Sequence, residues 1–171
     1  MTTNSARVSI VMGSQSDLPI MQEAGQFLSD IGIAHELDIV SAHRTPKRLH
    51  DYATGLTGRG IEVVIAGAGG AAHLPGMIAA ATIVPVIGVP VATTKLDGYD
   101  SLLSIVQMPK GVPVATVAID NACNAAILAA QIIGVYDHDI RKKLLAYKTE
   151  LEEKVLVMSA ECAYTRAPDE S

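Results

Sequence analysis

The chain has no tryptophan and a single phenylalanine among its 171 residues, and only 18% of its residues are charged. Hydrophobic residues make up 49% of it, and most of them are aliphatic. An interior this rich in aliphatic residues is typical of a parallel sheet that helices cover on both faces. The length predicts one domain with a sizeable core.

Basic residues are also scarce, because 13 Lys and Arg face 18 Asp and Glu and leave a formal net charge of −5. This balance argues against a nucleic acid or an anionic membrane as a partner. The two cysteines, Cys123 and Cys162, lack the spacing of a zinc or redox site and predict reduced thiols, as in a cytosolic protein. Residues 1–8 lack the apolar core of a signal peptide, and we therefore expect a cytoplasmic protein.

Residues 63–94 contain no Asp, Glu, Lys or Arg. A membrane-spanning helix needs about 20 continuous apolar residues. Here Pro75, Pro85, Pro90 and a cluster of glycines interrupt the segment. It therefore predicts a strand, a glycine turn, a short buried helix and a second strand.

Strands and helices alternate along the chain, which predicts an α/β fold with a parallel sheet and right-handed crossovers. The predicted strands are Arg7–Met12, Ala34–Val40, Glu62–Ala66, Pro85–Val89 and Val112–Ile119. The predicted helices are Asp17–Ile31, Pro46–Leu56, Leu74–Thr82, Gly98–Val106, Asn121–Ile133 and a last one from about Asp137 to Met158. We expect a single catalytic domain over residues 1–171, with a core at about 7–134, a C-terminal helix at about 137–158 and a polar tail at 167–171.

Two of the predicted helices carry a distinctive apolar pattern. The last one is amphipathic, with its apolar face formed by Ile140, Leu144, Leu151 and Val155. The helix Leu74–Thr82 is apolar or small on every face, which indicates burial on all sides. We expect a symmetric oligomer to cover it, and the alternative is cover by the C-terminal segment of the same chain.

The segment Ser41–Pro46 joins a predicted strand to a predicted helix. Its His43 can both donate and accept a proton near neutral pH. Its Arg44 offers a planar set of donors that suits a phosphate or a carboxylate. Thr45 is expected to cap the helix that Pro46 begins. The alternative is an ordinary helix start with a hydrogen-bonded histidine.

Two further turns between strand and helix carry small and polar residues. Gly13–Asp17 places hydroxyls and free N–H groups at a helix N-terminus, which is a ready anion site. The alternative there is a plain cap formed by Ser16 or Asp17. Ala66–Met77 contains three glycines that let the backbone approach a ligand, followed by His73, and the alternative is a tight packing turn. In a parallel sheet such turns lie together at the carboxyl ends of the strands, where ligands bind.

Taken in order, the segments 13–17, 41–46, 66–77 and 100–109 resemble class I of the phosphoribosylaminoimidazole carboxylase catalytic subunits. The resemblance extends roughly from Arg7 to Ile133. Class II enzymes of that family tend to have Lys where this chain has Arg44, and a different loop at residues 69–73. The turn Asp120–Cys123 is shorter than is usual in the family, which leaves its contacts with the site open.

The resemblance implies a flavodoxin-like three-layer αβα sandwich with a five-stranded parallel sheet and an extra C-terminal helix. It implies an octamer and a reaction without metal or organic cofactor. That reaction is a mutase step of purine biosynthesis, which moves a carboxylate of a small ribonucleotide from the exocyclic nitrogen of an imidazole to ring carbon 4. The implied residues are Ser14, Ser16 and Arg44 for the phosphate, Asp17 for the ribose, His43 as general acid/base, and His73, Ala68, Gly69 and Gly70 beside the migrating carboxyl, with Ser41 among the substrate-binding residues.

Three other functions remain open from the sequence. The first is a class II type carboxylase that uses free carbon dioxide. The second is a flavin- or nucleotide-binding module without catalysis, which Gly13–Asp17 allows but the scarcity of aromatic rings disfavours. The third is a structural oligomer whose glycine loops serve packing alone, and it leaves Arg44 beside His43 unexplained.

Overall fold

The computed structural model describes residues 5–92 and 95–163, so the predicted tail at 167–171 lies outside the described residues. Five strands form one parallel sheet in the order β2-β1-β3-β4-β5. They are β1 Val8–Met12, β2 His35–Ile39, β3 Val63–Gly69, β4 Val86–Val91 and β5 Ala115–Thr116. This strand order is the flavodoxin-like one, and the predicted fold class is confirmed.

Six α-helices connect and cover the strands: α1 Leu18–Ile31, α2 Pro46–Gly55, α3 Leu74–Ala79, α4 Tyr99–Val106, α5 Ala122–Gly134 and α6 His138–Cys162. Two short 3₁₀ turns, Gln15–Asp17 and Thr57–Arg59, precede α1 and follow α2. Within the described part of the chain, no helix is long and apolar enough to span a bilayer.

The sheet buries a separate apolar layer on each face. One layer joins Val8, Ile10 and Met12 of β1 to α1, α5 and the start of α6. The other joins Val11 of β1 to α2, α3 and α4. Alternate residues of the same strand thus face opposite layers, and this explains why β1 is apolar at almost every position.

The close approach of α1 to the sheet depends on Gly67 in β3. A Cβ placed on this glycine would lie 2.2 Å from the Met21 sulfur. Any side chain there would displace the Met21 side chain, which packs α1 against β3.

Strand β5 is shorter than the predicted Val112–Ile119 at both ends, and Pro90 explains why it ends early. The Val117 N–H still donates to the Gly88 carbonyl at 3.1 Å. In a parallel ladder the Val117 carbonyl would next accept an N–H from residue 90, which is a proline and has none. The ladder therefore ends after two residues.

Two helices also differ from their predicted extents. Helix α3 ends at Ala79 rather than Thr82, since the Thr82 hydroxyl accepts the Val84 N–H at 3.2 Å and closes a turn. Helix α6 continues to Cys162. Its predicted apolar face is buried only at its start, at Ile140 and Leu144, whereas Val155 is 58% exposed.

Candidate active site

The carboxyl ends of β1, β2 and β3 lie side by side, because Met12 is in register with both Ile39 and Gly67. The turns that leave these three strands surround a cleft of about 190 Å³. Its lining consists of Gly13, Ser14, Ser16, Asp17, Ser41, Ala42, His43, Arg44, Ala68, Gly69, Ala71, His73 and Leu74. The structure therefore places nine of the ten predicted site residues around one cleft, and Gly70 is the exception.

Gly70 points its N–H away from the cleft, toward the Ser101 hydroxyl at 2.8 Å. Its neighbour Ala71 lines the cleft instead. Sequence reasoning also missed Gly13, Ala42 and Leu74, which contribute backbone and small apolar surface. Each of them lies within one of the three predicted turns, so its position in the sequence could have predicted that it lines the cleft.

Arg44 is oriented but carries no carboxylate partner. Its Nε donates to the Ser41 hydroxyl at 3.1 Å and its Nη2 donates to the Gly13 carbonyl at 3.3 Å. Among the described residues, none of its nitrogens lies within ion-pair distance of an acidic side chain. Its charge is therefore available to an anion in the cleft, next to the N-terminal turn of α1.

Three cations near Arg44 are already neutralised by carboxylates. Lys47, Arg48 and Arg59 line a wider, more open groove of about 690 Å³ beyond Arg44. They pair with Asp51, Asp38 and Glu36, respectively, at 2.6–3.0 Å. The narrower cleft is therefore the better anion site, although the groove is larger.

Asp17 is a buried carboxylate at the edge of the cleft, with 7% of its surface exposed. Burial raises its pKa above the ordinary value. Hydrogen bonds from the Ser16 hydroxyl and from backbone N–H groups oppose this effect, and so does the nearby charge of Arg44. Burial of the ionised Asp17 carboxylate therefore costs stability, and the fold nevertheless keeps this hydrogen-bond acceptor in the lining of the cleft.

His43 and His73 contact each other directly across the cleft. Nε2 of His43 lies 2.8 Å from Nδ1 of His73, and the two rings are nearly perpendicular. One ring nitrogen must donate and the other accept, so one proton lies between the two rings. Both side chains are exposed in the single chain. The sequence predicted each histidine but not their bond.

The predicted cap at Thr45 is wrong, and so is the alternative of a cap at Ser16 or Asp17. The Thr45 hydroxyl donates to the Ser41 carbonyl at 2.8 Å instead of accepting an N–H of α2. Ser14, rather than Ser16 or Asp17, provides the first cap, because its hydroxyl accepts the Ser16 N–H at 3.4 Å. In both places the side-chain hydrogen bond lies in the turn before the α-helix and not within the helix itself.

The shortened turn after β5 is tied to the end of β4. Asp120 has a left-handed backbone, with φ at 58°, and its carboxylate accepts the Ala92 N–H at 2.8 Å. Residues 120–123 do not line the cleft in the described parts of the chain. Across residues 5–92 and 95–163, no three His, Cys, Asp or Glu side chains gather as metal ligands.

Comparison with known proteins places this architecture among its relatives. The model of the AIR carboxylase family matches residues 7–154. The N5-carboxyaminoimidazole ribonucleotide mutase of Thermotoga maritima is 61% identical over 150 residues, which cover 88% of each chain. The enzyme of the same name from Pyrococcus horikoshii is 59% identical over 148 residues, 86% of this chain and 84% of that one. The crystal structure of Treponema denticola PurE superposes with a TM-score of 0.84 at 26% identity, and the match covers 92% of this chain and 98% of that one.

The burial of Asp17 leads to a prediction about stability. Since its pKa is raised, the folded chain binds the proton more tightly than the unfolded chain, and stability falls as the pH rises from the ordinary pKa of Asp through the raised one. Asp17→Asn removes this cost. We expect it to raise the melting temperature at neutral pH.

The melting temperature of Asp17→Asn, measured from pH 4 to pH 8, should exceed that of the wild type most at the upper end of this range. The gain should disappear as the pH falls to the ordinary pKa of Asp. The exposed Asp30→Asn is the matched control and should show no such pH-dependent gain. A melting temperature for Asp17→Asn below that of the wild type at neutral pH would contradict this account of the site.

Proposed function

The chain belongs to the AIR carboxylase family and has the isomerase activity of its mutase members in purine biosynthesis, and we propose that His43 performs the proton transfers of that reaction. The substrate is N5-carboxyaminoimidazole ribonucleotide, and the product carries the carboxyl on ring carbon 4. The observation that carries the proposal is the combination of an arginine without a carboxylate partner and a pair of bonded histidines on one small cleft.

The nucleotide phosphate would bind between the turn after β1 and the turn after β2. Ser14 and Ser16 bring hydroxyls to this place, and Arg44 brings the free charge. Hydrogen bonds between an ionised donor and a phosphate are about twice as strong as neutral ones. Asp17, which faces the same cleft, would then accept hydrogen bonds from the ribose hydroxyls.

The reaction needs one proton delivered and one removed. As the bond between the exocyclic nitrogen and the carboxyl carbon breaks, His43 gives a proton to that nitrogen, and carbon dioxide is released beside aminoimidazole ribonucleotide. Ring carbon 4 then bonds to the carbon dioxide, and its proton returns to His43. The enzyme ends each turnover in its starting protonation state, and a single imidazole suffices.

Carbon dioxide must stay in the cleft between the two halves of the reaction. Ala68, Gly69 and Ala71 give the cleft a wall of small apolar residues that carries no nucleophilic side chain. His73 adjoins this wall and contacts His43. We propose that this side of the cleft holds the migrating carboxyl, while the other side holds the phosphate.

Two substitutions separate the proton-transfer role from the binding role. His43→Asn should keep the fold and nucleotide binding, because Asn can still form a hydrogen bond, but should lower kcat by about 10²–10⁴-fold. Arg44→Leu should raise KM or Kd by roughly tenfold or more, since a hydrogen bond to a charged group contributes about 1.5–3 kcal/mol. Steady-state rates, a binding titration with aminoimidazole ribonucleotide and a melting curve for each variant provide the comparison.

A His43→Asn enzyme that turns over within about tenfold of the wild type would show that another group transfers the proton, and His73 would be the next candidate. An unchanged KM and kcat in Arg44→Leu would show that the phosphate binds elsewhere.

The main alternative is a class II type carboxylase that takes carbon dioxide from solution. Supply of the carboxylated nucleotide together with labelled bicarbonate distinguishes the two reactions. If the carboxyl stays in the cleft, we expect little label in the product during a single turnover. Full equilibration of the label would favour the class II reaction. A non-catalytic nucleotide-binding module would give no product at all.

We propose further that the chain assembles as a homo-oligomer, and as an octamer by the resemblance described above. On α3 and the loop after it, Met77 is 38% exposed and Ile83 is 92% exposed. Helix α6 packs on α1 and α5, against the opposite face of the sheet, so it does not cover α3 in the single chain. A cytoplasmic location suits an enzyme of this pathway.

Light scattering and sedimentation of the purified protein should therefore give a species several times the 17.9 kDa of one chain. Ile83→Asp should dissociate it, because a charge at the centre of an apolar contact is costly to bury. The exposed Gln22→Asp, on α1 at the opposite face of the sheet, is a control that adds the same charge away from Ile83. A stable, active monomer would contradict the proposal.

A further inference from the structure

Ser101 is a fully buried polar residue that the mechanism above does not use. It lies in the first turn of α4, and its side chain has no exposure to solvent. Its hydroxyl accepts the Gly70 N–H at 2.8 Å and donates to the Val91 carbonyl at 2.7 Å. One oxygen atom therefore joins the last residue of β4 to the turn that follows β3.

The pattern of the β3–β4 ladder shows what this hydroxyl replaces. The Val64 N–H donates to the Pro85 carbonyl, and the donors of a parallel ladder recur every second residue. The fourth donor in this series is Gly70, and its acceptor in the same register is the Val91 carbonyl. The Ser101 hydroxyl is thus inserted into the place of the next ladder bond and satisfies both groups.

The insertion separates the two chains at a defined residue. The register of β3 with β4 ends at the pair Gly69 and Val91. Gly70 then adopts a left-handed backbone with φ at 68°, which favours glycine, and the chain turns toward the cleft. Ala71 and His73 reach the cleft through this turn, and His73 contacts His43 there.

We propose that Ser101 is a positioning residue: its hydroxyl ends the β3–β4 ladder at Gly70 and thereby holds the wall of the cleft and His73 in place. The inference rests on the proposed function, because it gives the wall the task of retaining carbon dioxide. Without the hydroxyl, either two buried backbone groups lose their partners or Gly70 bonds directly to Val91 and draws the turn away from the cleft.

The test follows the fate of the carboxyl as well as the rate. In Ser101→Ala the phosphate site is untouched, so KM should stay within about threefold of the wild type while kcat falls by about 10–100-fold, the cost of a displaced reacting group. The fraction of turnovers that end in free carbon dioxide and aminoimidazole ribonucleotide should rise. That fraction is measured after subtraction of the loss in buffer without enzyme.

Ser104→Ala is the matched control on the same helix. Its hydroxyl bonds within α4, to the Asp100 carbonyl at 2.6 Å, and approaches the Gly70 carbonyl only at 3.4 Å. We expect kcat and the lost fraction to stay near the wild-type values. Ser101→Cys keeps a side chain of similar shape with a weaker donor and acceptor. It should release an intermediate fraction, and it replaces Ser101→Ala as the test if that variant does not fold.

The inference would be overturned if Ser101→Ala, or Ser101→Cys in its place, lost the same fraction of turnovers to free carbon dioxide as Ser104→Ala. A lower melting temperature with an unchanged lost fraction would also overturn it, because that is the result of a purely structural role. Failure of the proposed function itself is distinguishable in the wild-type enzyme, which would then either form no carbon-carboxylated product or equilibrate the product's carboxyl fully with labelled bicarbonate.

Discussion

The register in which β1 pairs with β2 and β3 is the constraint on which the rest of the site depends. Met12 lies opposite both Ile39 and Gly67, so three turns that are far apart in the chain begin at one level of the sheet. A shift of one residue in either pairing would turn the buried positions of a strand to the other face. The two apolar layers would then lose their cores, and the cleft would lose its walls.

The electrostatics of the cleft depend on which charges the fold leaves unsatisfied. Arg48 and Arg59 are ion-paired with carboxylates, as is Arg7 with Glu62 and Asp137 near the start of β1. Arg44 alone among these arginines is held by a hydroxyl and a carbonyl, which direct it without neutralising it. Asp17 is buried at a cost in stability. The burial of Asp17 is unfavourable for the empty fold, whereas the charge of Arg44 is exposed to solvent, and both groups suit a charged, hydroxyl-rich ligand.

A single group determines where β5 ends, and another determines where the pairing of β3 with β4 ends. Pro90 lacks the N–H that would extend β5, and the Ser101 hydroxyl replaces the bond that would extend β3 along β4. Strand β5 stops although the apolar pattern of the sequence would allow it to continue, whereas β3 continues to Gly69, past its predicted end at Ala66. The chain that leaves β3 is thereby free to form the small-residue wall of the cleft.

The alternation of strands and helices, the parallel sheet and the three turns that carry Ser14, His43 and His73 were predictable from the sequence, because hydrophobic periodicity and turn residues are local signals. The extents of β5 and α3 were not, since they depend on the Pro90 and Thr82 contacts of the folded chain. The bond between His43 and His73 joins residues 30 positions apart, and the bridge through Ser101 joins α4 to two strand ends. Only the packing of α4 on the sheet, together with the register of β3 and β4, decides that such groups meet.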